Sequence, residues 1–111
     1  MFRRVFRKSW TDLPPKAAAE RLQAFQIVDV RRPAEFTGEL GHLPGARLVP
    51  LDRLPAQIAE LDPGRPTLVV CRSGGRSARA ASMLAAAGFS EVYNLDGGML
   101  AWNAEGRPVE H

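Results

Sequence analysis

The chain has 111 residues and a formal net charge of +3, with 45% hydrophobic and 24% charged residues. That balance is typical of a globular domain and excludes fibrous, low-complexity and highly charged disordered classes. One cysteine, Cys71, excludes an internal disulfide; this fits a reducing compartment and makes the cytoplasm the expected location.

One domain is expected over residues 1–111, a length that buries roughly 65% of the surface of the unfolded chain. No stretch approaches the ~20 consecutive apolar residues of a membrane span, so no membrane partner is expected. The start, MFRRVFRKSW, is basic but leads into no apolar region, so it does not read as a secretory signal. Arg3, Arg4, Arg7 and Lys8 read as a solvated basic terminus, because nucleic-acid surfaces carry a denser excess of charge. No nucleic-acid partner is expected.

In chain order, a strand is expected near Val5 to Trp10. Thr11 or Asp12 then caps a helix with Pro14 and Pro15 in its early turn and KAAAERLQ as its body. QIVDV (26–30) reads as a buried strand, and PAEF (33–36) as a short helix opened by proline. RLVP (47–50) is a short strand. LPAQIAEL (54–61) spaces Leu54, Ile58 and Leu61 as an amphipathic helix. TLVVC (67–71) is a continuous apolar run, the pattern of a strand covered on both faces of a parallel sheet. SARAASMLAAAG (77–88) is a helix ended by Gly88, with Ala78, Ala81 and Ala85 on one close-packing face. EVYNL (91–95) is the last strand, and DGG turns it into a final helix on which Met99 and Trp102 form a core-facing stripe. Alternating strands and helices predict an α/β architecture with a mostly parallel sheet covered on both faces. Ligands of such sheets bind at the carboxyl ends of the strands, where this reading puts Asp29, Cys71 and Asp96.

Between strand and helix, residues 71–76 read C-R-S-G-G-R. Gly74 and Gly75 allow positive φ, so the backbone can curl and direct successive N–H groups inward as an anion nest. A helix N-terminus and neighbouring arginines lower a thiol pKa, and the thiolate is the nucleophile. A structural cysteine needs neither the glycines nor the arginines, so the loop reads as a nucleophile with a cradle for negative charge.

CRSGGRS after an apolar strand resembles the active-site loop of the rhodanese superfamily, specifically its single-domain sulfurtransferases. DVRRPAEFTGELGHLPGA (29–46) is similar to that family's first signature and NLDGGMLAW (94–102) to its last, so the resemblance covers about residues 8–109. It implies a three-layer fold with a mostly parallel five-stranded sheet, and a thiosulfate-type sulfurtransferase. Cys71 matches the nucleophile that takes sulfane sulfur from thiosulfate as a persulfide. The amides of Arg72, Ser73, Gly74, Gly75 and Arg76 would hold the outer sulfur, and Arg72 and Arg76 would attract the anionic donor. A thiol, cyanide or thioredoxin-like acceptor would then remove the sulfur, with no cofactor. The four residues between Cys71 and Arg76 are one fewer than in related phosphatases, which argues against phosphate as substrate. The alternative within this resemblance is a persulfide carrier or interaction module that delivers sulfur to a specific partner.

Ser77 is expected to cap the following helix, with a bond to the sulfur as its second option. Asp29 and Arg31 are expected to support the loop rather than to react. His42 reads as a hydrogen-bonded loop residue, His111 as terminal. Two histidines and one cysteine without close spacing predict no metal site.

Overall fold

The computed structural model of the protein describes residues 9–111. Five strands form one all-parallel sheet: β1 (Thr11–Leu13), β2 (Gln26–Asp29), β3 (Arg47–Leu48), β4 (Thr67–Val70) and β5 (Val92–Leu95), in the order β1-β5-β4-β2-β3. The helices are α1 (Pro15–Glu20), α2 (Pro33–Phe36), α3 (Leu54–Gln57), α4 (Gly75–Ala86) and α5 (Gly98–Ala104), with short 3-10 turns at Leu22–Ala24, Leu51–Arg53 and Ile58–Glu60. No helix among the described residues is long and apolar enough to cross a membrane.

The central strand β4 is buried at all four residues, as its uninterrupted apolar run requires. Its register pairs Val69 with Val28 of β2 and Asn94 of β5. Side chains alternate between the two faces of a strand, and the core divides accordingly. On one face Val28, Val30, Val69 and Cys71 pack with Ala80, Ala81 and Leu84 of α4 and with Leu54 of α3. On the other, Ile27, Leu68 and Val70 pack with Ala18 of α1 and with Met99 and Trp102 of α5. Met99 and Trp102 are fully buried; burying one such side chain stabilises the fold by about 1.5–3 kcal/mol.

Of the strand expected near Val5 to Trp10, residues 5–8 lie outside the described residues, as do Arg3 and Arg4, and the first described strand begins at Thr11. Three expectations are corrected. Thr11 and Asp12 do not cap α1; their backbone is extended against Tyr93 and Asn94 of β5, and Pro14 precedes the helix without a side-chain cap. The helix anticipated over 54–61 is one α-helical stretch followed by a 3-10 turn. In α4 the buried stripe is Ser77, Ala80, Ala81 and Leu84, so Ala78 and Ala85 flank the packed face rather than define it.

Candidate active site

β4 ends one residue before Cys71 and so delivers the thiol to the carboxyl edge of the sheet. Cys71 is 1% exposed and shares its apolar cluster with Val30 and Ala81, yet its sulfur is hydrogen-bonded. Gly74 donates its backbone N–H to Sγ at 3.0 Å and Ser77 Oγ lies 3.2 Å from it. Gly74 makes this possible with φ of 111°, a conformation that side-chain-bearing residues rarely adopt. Gly75 does not share that role: it is the first residue of α4 and is absent from the positive-φ glycines of the described chain.

Burial pushes the Cys71 thiol pKa up, but hydrogen bonds to the sulfur more than offset this and hold it below the ordinary cysteine value. The Ser77 hydroxyl leads, followed by the backbone N–H groups of Ser77, Gly74 and Ser73. Donors directed at the sulfur therefore lead in favouring the thiolate, ahead of the arginines of the loop.

Ser77 lies in the first turn of α4, where Gly74 is the cap residue, so it does not cap the helix. Its hydroxyl is shared between the Cys71 sulfur and Asn94 Oδ1. Asn94 Nδ2 in turn donates to Asp12 Oδ1 at 3.1 Å and to the Gly74 carbonyl at 3.2 Å. Both of those atoms are acceptors, which fixes the amide orientation and leaves Oδ1 facing the serine.

The carbonyl side of the loop is held by α5. Met99 N–H donates to Cys71 O at 2.9 Å and Leu100 N–H to Arg72 O at 3.0 Å. This close approach needs Gly98, where φ is 58° and a Cβ would stand 2.5 Å from Cys71 O and 2.6 Å from the Arg72 carbonyl. The third sequence motif is thus the backbone clamp of the second.

Arg76 extends from α4 to α2, where Glu35 accepts from both guanidinium nitrogens at 2.7 and 2.8 Å. Arg76 hydrogen bonding, only partly opposed by burial and aided by the Arg32 N–H, holds the Glu35 carboxyl down at about 2. Glu35 likewise raises the Arg76 pKa, and the nearby Cys71 and Asp29 add smaller attractions. Arg72 is exposed, and its side chain forms no hydrogen bond or ion pair within the described residues.

Asp29 and Arg31 are both buried and face each other, with Arg31 Nε 2.9 Å from Oδ1 and Nη2 2.8 Å from Oδ2 of Asp29. The same guanidinium donates to the carbonyls of Gly41 at 2.7 Å and Glu35 at 3.2 Å. The pair therefore shapes the 31–41 segment that carries Glu35, and reaches the cysteine loop through the Glu35–Arg76 contact and the attraction of Asp29 for Arg76. His42 stacks on Phe36 at 3.7 Å between ring centroids, and its Nδ1 meets the Phe36 carbonyl at 2.7 Å. Its backbone bridges to Glu110. Asp96 is exposed at the end of β5, and its N–H donates to Leu13 O. No metal-binding cluster of His, Cys, Asp or Glu is present among the described residues.

Sequence reasoning missed Asn94, Glu35 and Gly98 as contributors. All three lie inside the first and last motifs, so their local setting was visible; their partners lie 17, 41 and 27 residues away in the chain. Only a folded sheet brings them together.

Fold and site together define a parallel α/β protein with a hydrogen-bonded thiol on a strand-to-helix loop. The family model of the Rhodanese-like domain matches residues 14–105, and the chain belongs to that family. It is 43% identical to "Thiosulfate sulfurtransferase GlpE" of Stutzerimonas stutzeri over 80% of each chain. It is 41% identical to "Uncharacterized protein YqhL" of Bacillus subtilis over 72% of this chain and 62% of that protein. It matches 54% of the length of a Synechocystis relative, so the chain spans less than two thirds of these last two proteins. The crystal structure of a rhodanese-related protein from Thermoplasma volcanium superposes with a TM-score of 0.82 at 27% identity, covering 89% of this chain and 96% of that one.

Proposed function

We propose that this protein is a sulfurtransferase that moves sulfane sulfur from thiosulfate to an external thiophilic acceptor through a persulfide on Cys71. The observation that carries this reading is the Cys71 sulfur itself, buried yet bonded by the Gly74 amide at 3.0 Å and the Ser77 hydroxyl at 3.2 Å. Membership of the family and the sulfurtransferase names of its relatives agree with it.

In the first half-reaction the Cys71 thiolate attacks the outer sulfur of thiosulfate. A new S–S bond forms at Cys71, the sulfur–sulfur bond of thiosulfate breaks, and sulfite leaves with the electron pair. The thiolate is already favoured by the donors around it, so no general base is needed. Arg72, exposed and without a side-chain partner among the described residues, attracts the dianion. The Arg76 guanidinium is engaged by Glu35, so on this reading it positions the helix end of the loop and adds a partly neutralised charge to the attraction of the donor. In the second half-reaction an acceptor thiolate attacks the outer persulfide sulfur and Cys71 leaves as thiolate. With a single cysteine in this chain no internal thiol can resolve the persulfide, so the acceptor is external.

The test is intact-mass measurement after incubation with thiosulfate. The wild-type protein should gain the mass of one sulfur atom, and cyanide should remove it. Cys71→Ala should gain nothing. An unmodified wild-type protein would overturn the reading.

A further inference from the structure

A groove of about 760 Å³ opens beside the cysteine loop, with Arg76 in its wall. Its floor and walls include Val30, Pro33, Leu51, Pro55 and Met83. Val30 shares the apolar cluster of Cys71, with Leu51 and Met83 packed against it, so the groove lies on the same face of the sheet as the thiol. Val30 N–H also bonds Val70 O at 2.9 Å, one residue before the cysteine. Arg32, Arg53, Arg76 and Arg79 line the groove, and Asp52 is its single acidic lining residue. Of these arginines, Arg76 is held by Glu35, whereas the guanidinium groups of Arg53 and Arg79 form no hydrogen bond or ion pair among the described residues.

We propose that this groove binds the sulfur acceptor, a low-molecular-weight thiol that carries two or more negative charges as carboxylates or phosphates. The inference rests on the sulfurtransferase reading and names the acceptor class for it. Two features select that ligand. The volume is far larger than thiosulfate needs and lies within the range of about 300–1,000 Å³ that small-molecule sites occupy. The lining joins apolar surface to guanidinium forks, which match the paired oxygens of carboxylate and phosphate. A ligand anchored by Arg53 and Arg79 presents its thiol toward Arg76 and the loop. There its thiolate attacks the outer sulfur of the Cys71 persulfide, forms the new S–S bond and releases the Cys71 thiolate, so that no oxidant or reductant is required.

The test separates binding from transfer. S-methylglutathione and S-methyl-coenzyme A lack a thiol, so titration calorimetry reads their binding whether or not sulfur moves. At least one should bind the wild-type protein, and the paired substitution R53A with R79A should weaken it about fivefold to tenfold. For protein loaded from thiosulfate, the same pair should lower kcat/KM for the corresponding free thiol, relative to the neutral 2-mercaptoethanol, by about the same factor. Response to glutathione alone assigns carboxylates and response to coenzyme A alone assigns phosphates. If neither analogue binds, or if the ratio is unchanged by R53A with R79A, the groove assignment is overturned while the persulfide chemistry stands. Dependence on Arg53 and Arg79 seen only with reduced thioredoxin would also overturn it, in favour of a protein acceptor. Failure to load sulfur from thiosulfate would count against the parent reading, and calorimetry would still decide the groove.

Discussion

Ser77 and Cys71 are joined by a 3.2 Å contact between hydroxyl and sulfur, and the same hydroxyl faces Asn94 Oδ1. A serine has one proton to donate. With the thiol protonated, the proton satisfies Asn94; with the thiol ionised, the sulfur becomes the stronger acceptor and draws it. On the proposed mechanism Ser77 is a positioning residue for the Cys71 thiolate, itself oriented by an asparagine whose amide is fixed from β1 and the loop.

Removing that hydroxyl should weaken the thiolate. A hydrogen bond to a charged group contributes about 1.5 kcal/mol or more, so Ser77→Ala should slow alkylation of Cys71 by iodoacetamide roughly tenfold near neutral pH. The alkylation pH profile should move upward, because the thiol pKa is held down chiefly through Ser77. An unmoved profile would show that the backbone amides suffice.

The Gly98 clamp predicts an unequal response of two glycines. Gly98→Ala puts a methyl group 2.5 Å from Cys71 O at a φ of 58°, which should cost about 2–3 kcal/mol of stability. At Gly75 a Cβ meets nothing within 4 Å, so Gly75→Ala should be neutral or stabilising by up to about 0.5 kcal/mol. Urea denaturation of both variants measures the contrast; equal losses would refute the clamp.

The Glu35–Arg76 pair predicts a pH dependence. The folded Glu35 carboxyl titrates at about 2 rather than the usual 4.5. Its stabilisation is therefore complete above pH 4.5 and is lost as the pH falls toward 2. Side-chain exposures of 27% and 35% admit solvent screening, which reduces the contribution to about 1 kcal/mol. Glu35→Gln should lower stability by that amount at neutral pH and flatten the decline between pH 4.5 and 2. Urea midpoints across that range report it, and a wild-type slope in the variant would assign the acid transition to other carboxylates.

Asp29→Asn tests the buried pair. Arg31 and Asp29 are 1% and 0% exposed, and breaking such a pair leaves a desolvated charge at a cost of about 3–5 kcal/mol. A loss below about 1 kcal/mol would mean that water reaches the guanidinium.

Much of this was written in local pattern. The apolar run TLVV predicted a doubly covered strand, and all four residues are buried. Proline and glycine punctuation marked the ends of α2 and α4, and Met99 and Trp102 were legible as core. Local pattern failed at the first described strand, where Thr11 to Leu13 resembles a helix entry but pairs with Tyr93 to Leu95. Edge strands draw on partners far along the chain, and three residues have no period to read.

Amino-acid order alone determined the succession of strands and helices from β2 onward and the place of the single thiol at a strand end, because side-chain periodicity and backbone-breaking residues act over a few positions. Tertiary structure decided which groups surround that thiol. The Ser77–Asn94 contact, the Arg76–Glu35 pair and the approach of Gly98 to the Cys71 carbonyl each join distant segments. Hydrogen bonds and close packing act over a few ångströms in space, and only the parallel order β1-β5-β4-β2-β3 brings those segments within reach.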